Sequence, residues 1–276
     1  MSSLDADSGK SINRPIVGWV LELYRFRELL LMITWRDIRI KYKQSIMGIL
    51  WAVLMPLMIV GAGVMVQYAF SSLSGRAIRW HDVASISVKS IPWAFFVASI
   101  RFATNSLIGN SNLVTKIYMP REIFPLAAIG SQLVDLLVGS AILILLLSLA
   151  QVGLSLLQLW VPVLLLLLLM LTTGICLLVA AGSLFFRDVK YIVDVVLTFA
   201  IFFTPVFYSS TMFGEWAHVL MLNPIAPLLE ALSLTIVDHV LPPLDWLAYS
   251  TAVSVGVFTL GLIVFKRVEP WFAECV

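Results

Sequence analysis

Arg101, Asp135 and Asp194 are charges set at membrane depth within long apolar stretches of this 276-residue chain. A charge at membrane depth is costly, so by default it marks a substrate path, a relay or a buried pair. Asp194 follows Lys190 by four residues, the spacing of an ion pair along one helix. Arg101 and Asp135 fall on consecutive apolar runs and form the other candidate pair. No run repeats carboxylates or histidines as a proton relay would, which weighs against a proton-coupled carrier. His81, His218 and His239 stand far apart, none with a second ligand at metal spacing, so no metal is expected. Gly9-Lys10-Ser11 ends like a phosphate-binding loop, but Leu4 stands where its first glycine belongs. There is no Gly-x-Ser-x-Gly nucleophile turn, and spacing brings no two of Glu215, Asp238 and Asp245 together. Cys176 and Cys275 read as unpaired thiols. No catalytic residue is expected.

The elements that must position these residues are set by composition. The chain is 61% apolar and only 12% charged. Soluble domains run about 45–50% apolar and about 25% charged. Mean hydropathy is +0.99. Lipid is the natural solvent for such an excess, and an all-α membrane protein is expected. Residues 1–15 are polar and lack the apolar core of a signal peptide, so they read as a short cytoplasmic tail.

A spanning helix needs about 20 mostly apolar residues. Six runs in the 47–266 region meet that need: 47–70, 85–108, 123–150, 161–185, 189–208 and 246–265. Pro56 kinks the first. Between the last two, two short apolar stretches are broken by Asn223-Pro224, a turn signal. They read as a short re-entrant hairpin or a pair of surface helices. Lysine and arginine vote on orientation. Fourteen fall on the side that holds both termini. Four fall on the other: Arg76, Arg79, Lys89 and Arg101. Both termini are therefore expected in the cytoplasm of a bacterial cell, the protein crossing its inner membrane several times, with 267–276 as the cytoplasmic C-terminus. Residues 16–46 mix aromatics with charge. Arg36, Arg39 and Lys43 share one helical face, with Trp35, Ile38 and Tyr42 on a neighbouring face. That pattern suits an amphipathic helix at the cytoplasmic interface, its basic side toward lipid phosphates.

Three stretches carry a family resemblance. The first runs Asn105-Ser106-Leu107-Ile108-Gly109-Asn110-Ser111-Asn112 to Lys116-Ile117-Tyr118-Met119-Pro120-Arg121-Glu122-Ile123-Phe124-Pro125. The second is Arg36-Asp37-Ile38-Arg39-Ile40-Lys41-Tyr42-Lys43 with Gly48, Trp51 and Pro56. The third is Phe186-Arg187-Asp188-Val189, followed by Thr204-Pro205-Val206-Phe207-Tyr208 and Leu222-Asn223-Pro224. Together they resemble the membrane subunits of ABC-type polysaccharide and polyol-phosphate exporters, from about Arg25 to Lys266. Arg101 departs from the family pattern.

The resemblance implies a homodimer paired with two copies of a nucleotide-binding ATPase subunit. ATP and magnesium would be bound there, with no cofactor in this chain and no nucleic-acid partner. The substrate would be a lipid-linked polysaccharide of the O-antigen, capsule or teichoic-acid kind, moved from cytoplasm to periplasm. Arg36, Arg39, Lys43, Lys116, Tyr118, Pro120, Arg121 and Glu122 would dock the ATPase. Sugar C–H faces stack on aromatic rings, so Trp51, Tyr68 and Phe70 on the first run, and Phe199, Phe202, Phe203, Phe207 and Tyr208 on the fifth, are candidate pore lining. Asn223 and Pro224 would form the outer hairpin. Two other readings stand beside this one: an exporter permease for another lipid or small molecule, and a membrane-embedded glycan-modifying enzyme.

Overall fold

A computed structural model describes residues 16–43, 50–75, 78–116 and 119–272. Gly9-Lys10-Ser11, Tyr118 and Cys275 lie outside them. Every regular element among the described residues is helical. The amphipathic stretch forms two helices, α1 (Ile16–Arg25) and α2 (Arg27–Lys43), broken at Phe26. The long helices are α3 (Leu50–Ser74), α4 (Trp80–Thr104), α6 (Ile123–Leu149), α7 (Val161–Phe185) and α11 (Leu244–Val268), with the short α5 (Ser111–Lys116) before α6. Among the described residues, five helices are long and apolar enough to cross a membrane. The protein is an all-helical membrane protein.

The run expected over 189–208 differs. Helix α8 (Asp188–Ala200) gives way to a 3₁₀ turn at Ile201–Phe203 and then to irregular chain. Thr204-Pro205 accounts for the end, because proline supplies no N–H and disfavours helical geometry in the residue before it. Thr204 is extended accordingly, at φ −122° and ψ 130°. The chain then forms a 3₁₀ segment (Ser210–Trp216), α9 (Ala217–Met221), the Asn223-Pro224 turn, α10 (Ile225–Ser233) and one π turn to Asp238.

Helix α4 sits at the centre, packed by α3, α6, α7, α8 and α10. That position explains how it carries Lys89, Pro92 and several serines, since most of its surface meets protein rather than lipid. Its largest partners, α6 and α7, supply much of the core around Phe95, Phe96, Leu164 and Leu168. Helices α7 and α11 cross closely at glycines. A Cβ built on Gly174 would lie 2.5 Å from the Val257 carbonyl oxygen, and one on Gly261 would lie 2.5 Å from the Gly174 oxygen. Small residues let backbones approach in this way where lipid offers no hydrophobic drive between helices.

Depth along the bundle follows from the contacts. Phe102 lies beside Lys41, whose ammonium also reaches Asp135. Arg101 therefore sits level with the end of α2, not with the opposite end where the charge count put it. Lys89 is twelve residues further along α4, about 18 Å at 1.5 Å per residue.

Candidate functional site

Three charged clusters and an aromatic face are the functional candidates. At the α2 end, α2 lies along α6. Ile33 is buried and Thr34 faces Gly130. Lys41 and Tyr42 both bond to Asp135, and Lys41 also donates to Gln132 at 3.0 Å. Burial and the Asp135 carboxylate push the Tyr42 hydroxyl well above its ordinary pKa. This tie leaves Met32, Trp35, Arg36, Arg39, Ile40 and Lys43 along the opposite stripe. Arg36 is half-buried and pairs with Asp37 at 2.8 Å, Arg39 lies over the Trp35 ring, and Lys43 is exposed.

The segment before α6 is held by the end of α11. Lys116 is exposed and Pro120 is buried. The Arg121 amide donates to the Glu269 carboxylate at 3.2 Å, its guanidinium donates to the Glu269 carbonyl, and it lies over Phe272. Glu122 is 0% exposed and pairs with Lys266, which also meets Glu269 at 3.1 Å. Burial raises the Glu122 pKa and Glu269 adds to the rise, while Lys266 pulls it back. Arg121 and Glu122 thus turn inward. The sequence marked both residues, but not the C-terminal partners that hold them.

The aromatic candidates lie on α3, on α8 and in the 3₁₀ turn and irregular chain that follow it. Trp51, Tyr68, Phe70, Phe199, Phe202 and Phe203 are exposed on the single chain, and Tyr208 is half-buried. In the irregular chain after α8, Phe207 packs against Gly63 of α3. The pairs expected from spacing, Lys190–Asp194 and Arg101–Asp135, do not form. Arg101 pairs instead with Asp194 at 3.4 Å and donates to the Thr198 hydroxyl at 3.1 Å. Asp135 is already taken by α2, and α8 packs on α4 with Asp194 and Thr198 one turn apart toward Arg101. Both members of that pair stay about half exposed at 44% and 50%, so this face carries charge as well as aromatic rings.

A third cluster joins α4 to α10 and the π turn after it. His81, Ser85 and Lys89, four residues apart along one face of α4, meet Asp238 at 3.0 Å, Ser233 at 2.8 Å and Glu230 at 3.9 Å. Lys89 is 1% exposed. In the sequence Lys89 reads only as an outer cation, and Glu230 is one carboxylate in an apolar stretch. The available signal was that two opposite charges, each alone among apolar neighbours, need a partner. The Asn223-Pro224 turn is fastened on two sides: Asn223 donates to Thr204, and Tyr249 and Ser250 of α11 donate to the carbonyls of Leu222 and Pro224. Among the described residues no three His, Cys, Asp or Glu side chains gather as a metal site.

Residues 28–237 match the model of the ABC-2 type transporter membrane domain. The chain belongs to the ABC-2 type transporter family. This transporter is 28% identical over 271 residues to the O-antigen export system permease protein RfbA of Myxococcus xanthus, covering 95% of this chain and 100% of the relative. It is 25% identical over 249 residues to the protein of the same name from Klebsiella pneumoniae, covering 90% and 94%. The matched span takes in α2 from Glu28, the Arg121-Glu122 segment, α8, α9, α10 and the chain as far as Val237.

Proposed function

We propose that this chain is the membrane permease subunit of an ATP-driven exporter, moving a lipid-linked, O-antigen-like polysaccharide from the cytoplasm to the periplasm. ATP is hydrolysed by a separate nucleotide-binding subunit. The observation that carries the reading is similarity to O-antigen export permeases over nine-tenths or more of the chain. The assembly is a homodimer with two copies of the ATPase in the bacterial inner membrane. Each chain crosses six times, α8 with its 3₁₀ extension making the short crossing, and both termini are cytoplasmic. Counting Arg101 with the α2 end strengthens that orientation. Helices α1 and α2 run along the cytoplasmic interface, and the α9–α10 hairpin enters the membrane from the periplasmic side.

The exposed aromatic faces of α3 and α8 line the conduit, supplied by two copies, with Trp51, Tyr68, Phe70, Phe199, Phe203 and Tyr208 offering rings to passing sugars. The Arg101–Asp194 pair supports this placement, because half-exposed charge is far less costly beside a polar path than beside lipid. Arg36, Arg39, Lys43 and Lys116 meet the ATPase, as do Tyr118 and Pro120. Arg121 and Glu122 brace the segment before α6 against α11. ATP and magnesium sit in the partner. The test is affinity purification of the chain from its native membrane in mild detergent. Recovery of an ATP-hydrolysing subunit in near-equal amount, with outward movement of lipid-linked glycan in vesicles, is expected. Recovery of the chain alone across several detergents, or glycan turnover by the chain by itself, overturns the reading.

A further inference from the structure

The chain from Thr204 to Ser209 is irregular, leads into the 3₁₀ segment at Ser210 and lies beside Lys89, well inside the bundle. Backbone polar groups at that depth have no bulk water, so each must find a partner within the protein. Side chains supply those partners here. The Tyr208 hydroxyl donates to the Phe202 carbonyl at 2.8 Å, and the Thr204 hydroxyl donates to the Ala200 carbonyl at 2.8 Å. Lys89 Nζ donates to the Tyr208 carbonyl at 2.7 Å, and the Ser210 amide donates to Glu230 Oε1 at 2.7 Å. The Lys89 and Glu230 charges stand 3.9 Å apart, too far for a short ion pair but close enough to offset one another. Each therefore spends its best hydrogen bond on the turn rather than on the other. The turn so held carries Phe207, seated against α3 at Gly63, and Tyr208, whose ring lies 4.9 Å from that of Phe213.

We propose that Lys89 and Glu230 are positioning residues for the conduit: a donor and an acceptor that fix the Thr204–Ser210 turn and so set Phe207 and Tyr208 against α3. This rests on the exporter reading for its functional meaning. What matters is the polarity of the two backbone bonds, Lys89 giving and Glu230 receiving, more than the ionic attraction.

Two variants separate polarity from charge. Glu230→Gln removes one charge but keeps an oxygen for the Ser210 amide, and Lys89 still donates to Tyr208. The exchange Lys89→Glu with Glu230→Lys keeps both charges but sets an acceptor against the Tyr208 carbonyl and a donor against the Ser210 amide. Each is purified as the complex with its ATPase and reconstituted with lipid-linked polysaccharide extracted from the native membrane. Glycan moved per ATP hydrolysed is read beside amide exchange over residues 204–212. The exchanged pair is expected to lose at least about tenfold in transport per ATP, the size of one buried polar group left unmatched, with faster exchange in the turn. Glu230→Gln is expected to stay within about threefold of the parent on transport, with the turn still protected. A merely ionic or structural pair gives the reverse pattern, and that result overturns the proposal. Should one variant not fold, the other still decides it. If the parent complex moves no glycan, the exporter reading fails, while the exchange pattern still decides whether the pair holds the turn.

Discussion

Replacing Gly174 with alanine drives a methyl group into the backbone of α11. The added Cβ would lie 2.5 Å from the Val257 oxygen, 2.6 Å from its carbonyl carbon and 2.7 Å from the Phe258 nitrogen. Ordinary contact begins near 3.4 Å, so α7 and α11 must part by roughly 1 Å. The obstruction is main chain on a packed helix, so no rotamer change relieves it. Overpacking of this kind costs about 1–3 kcal/mol. At about 2–4 °C per kcal/mol for chains of comparable size, melting in detergent should fall by about 5 °C. Gly261→Ala meets the Gly174 oxygen and should do the same. One separation accommodates both methyls, so the double variant should lose less than the sum. Gly256 lies in α11 only five residues before Gly261, yet a Cβ there meets nothing within 4 Å. Gly256→Ala should therefore hold or raise the melting temperature by relieving glycine's helix penalty of about 1 kcal/mol. The assay is thermal unfolding of purified protein followed by a thiol- or tryptophan-reporting dye. Equal effects at Gly174 and Gly256, or a shift under about 1 °C at Gly174, would refute the close-crossing argument.

Three further outcomes follow from the charge clusters. Lys266→Met removes the cation paired with the buried Glu122 and should cost about 1–3 kcal/mol, most of it recovered when Glu122→Gln is added; a double variant as unstable as the single one contradicts the pairing. Burial already raises the Glu122 pKa, so its stabilising share is full at acid pH and lost as pH rises above the usual carboxylate range. Without Lys266 that loss should steepen in melts taken across pH. Lys41→Met with Asp135→Asn should loosen α2 from α6, seen as faster amide exchange over residues 27–43, while the long helices stay protected. Arg101→Ala breaks a half-exposed pair, so melting should move by less than about 1 kcal/mol equivalent, and any large transport defect then belongs to the conduit.

Much of the fold was legible where local pattern suffices. The long apolar runs and the Asn223-Pro224 break appear in the structure close to where the sequence put them. The run over 189–208 did not keep its helix, although Thr204-Pro205 carried the signal, because hydropathy counts residues and ignores a missing N–H. Spacing misjudged the charges as well. The Lys190–Asp194 spacing is right for a helical pair, yet a residue on a neighbouring helix offered Asp194 the guanidinium of Arg101. Arg121 and Glu122 stood out by resemblance, but nothing local says that they face inward to Lys266 and Glu269.

By itself the sequence determined that this protein lives in lipid, which stretches are long enough to cross it, and which family motifs it carries. Those are properties of composition and of neighbours a few residues apart. Tertiary structure alone decided the pairings: Lys41 with Asp135 and Tyr42, Lys266 with Glu122, and Lys89 with Tyr208 and Glu230. Each joins residues far apart in the chain, fixed only once α4, α6 and α11 have packed. The physical reason is the cost of unsatisfied polar groups in a dry interior. The chain order states how many such groups must be matched, and only the packed bundle determines with what.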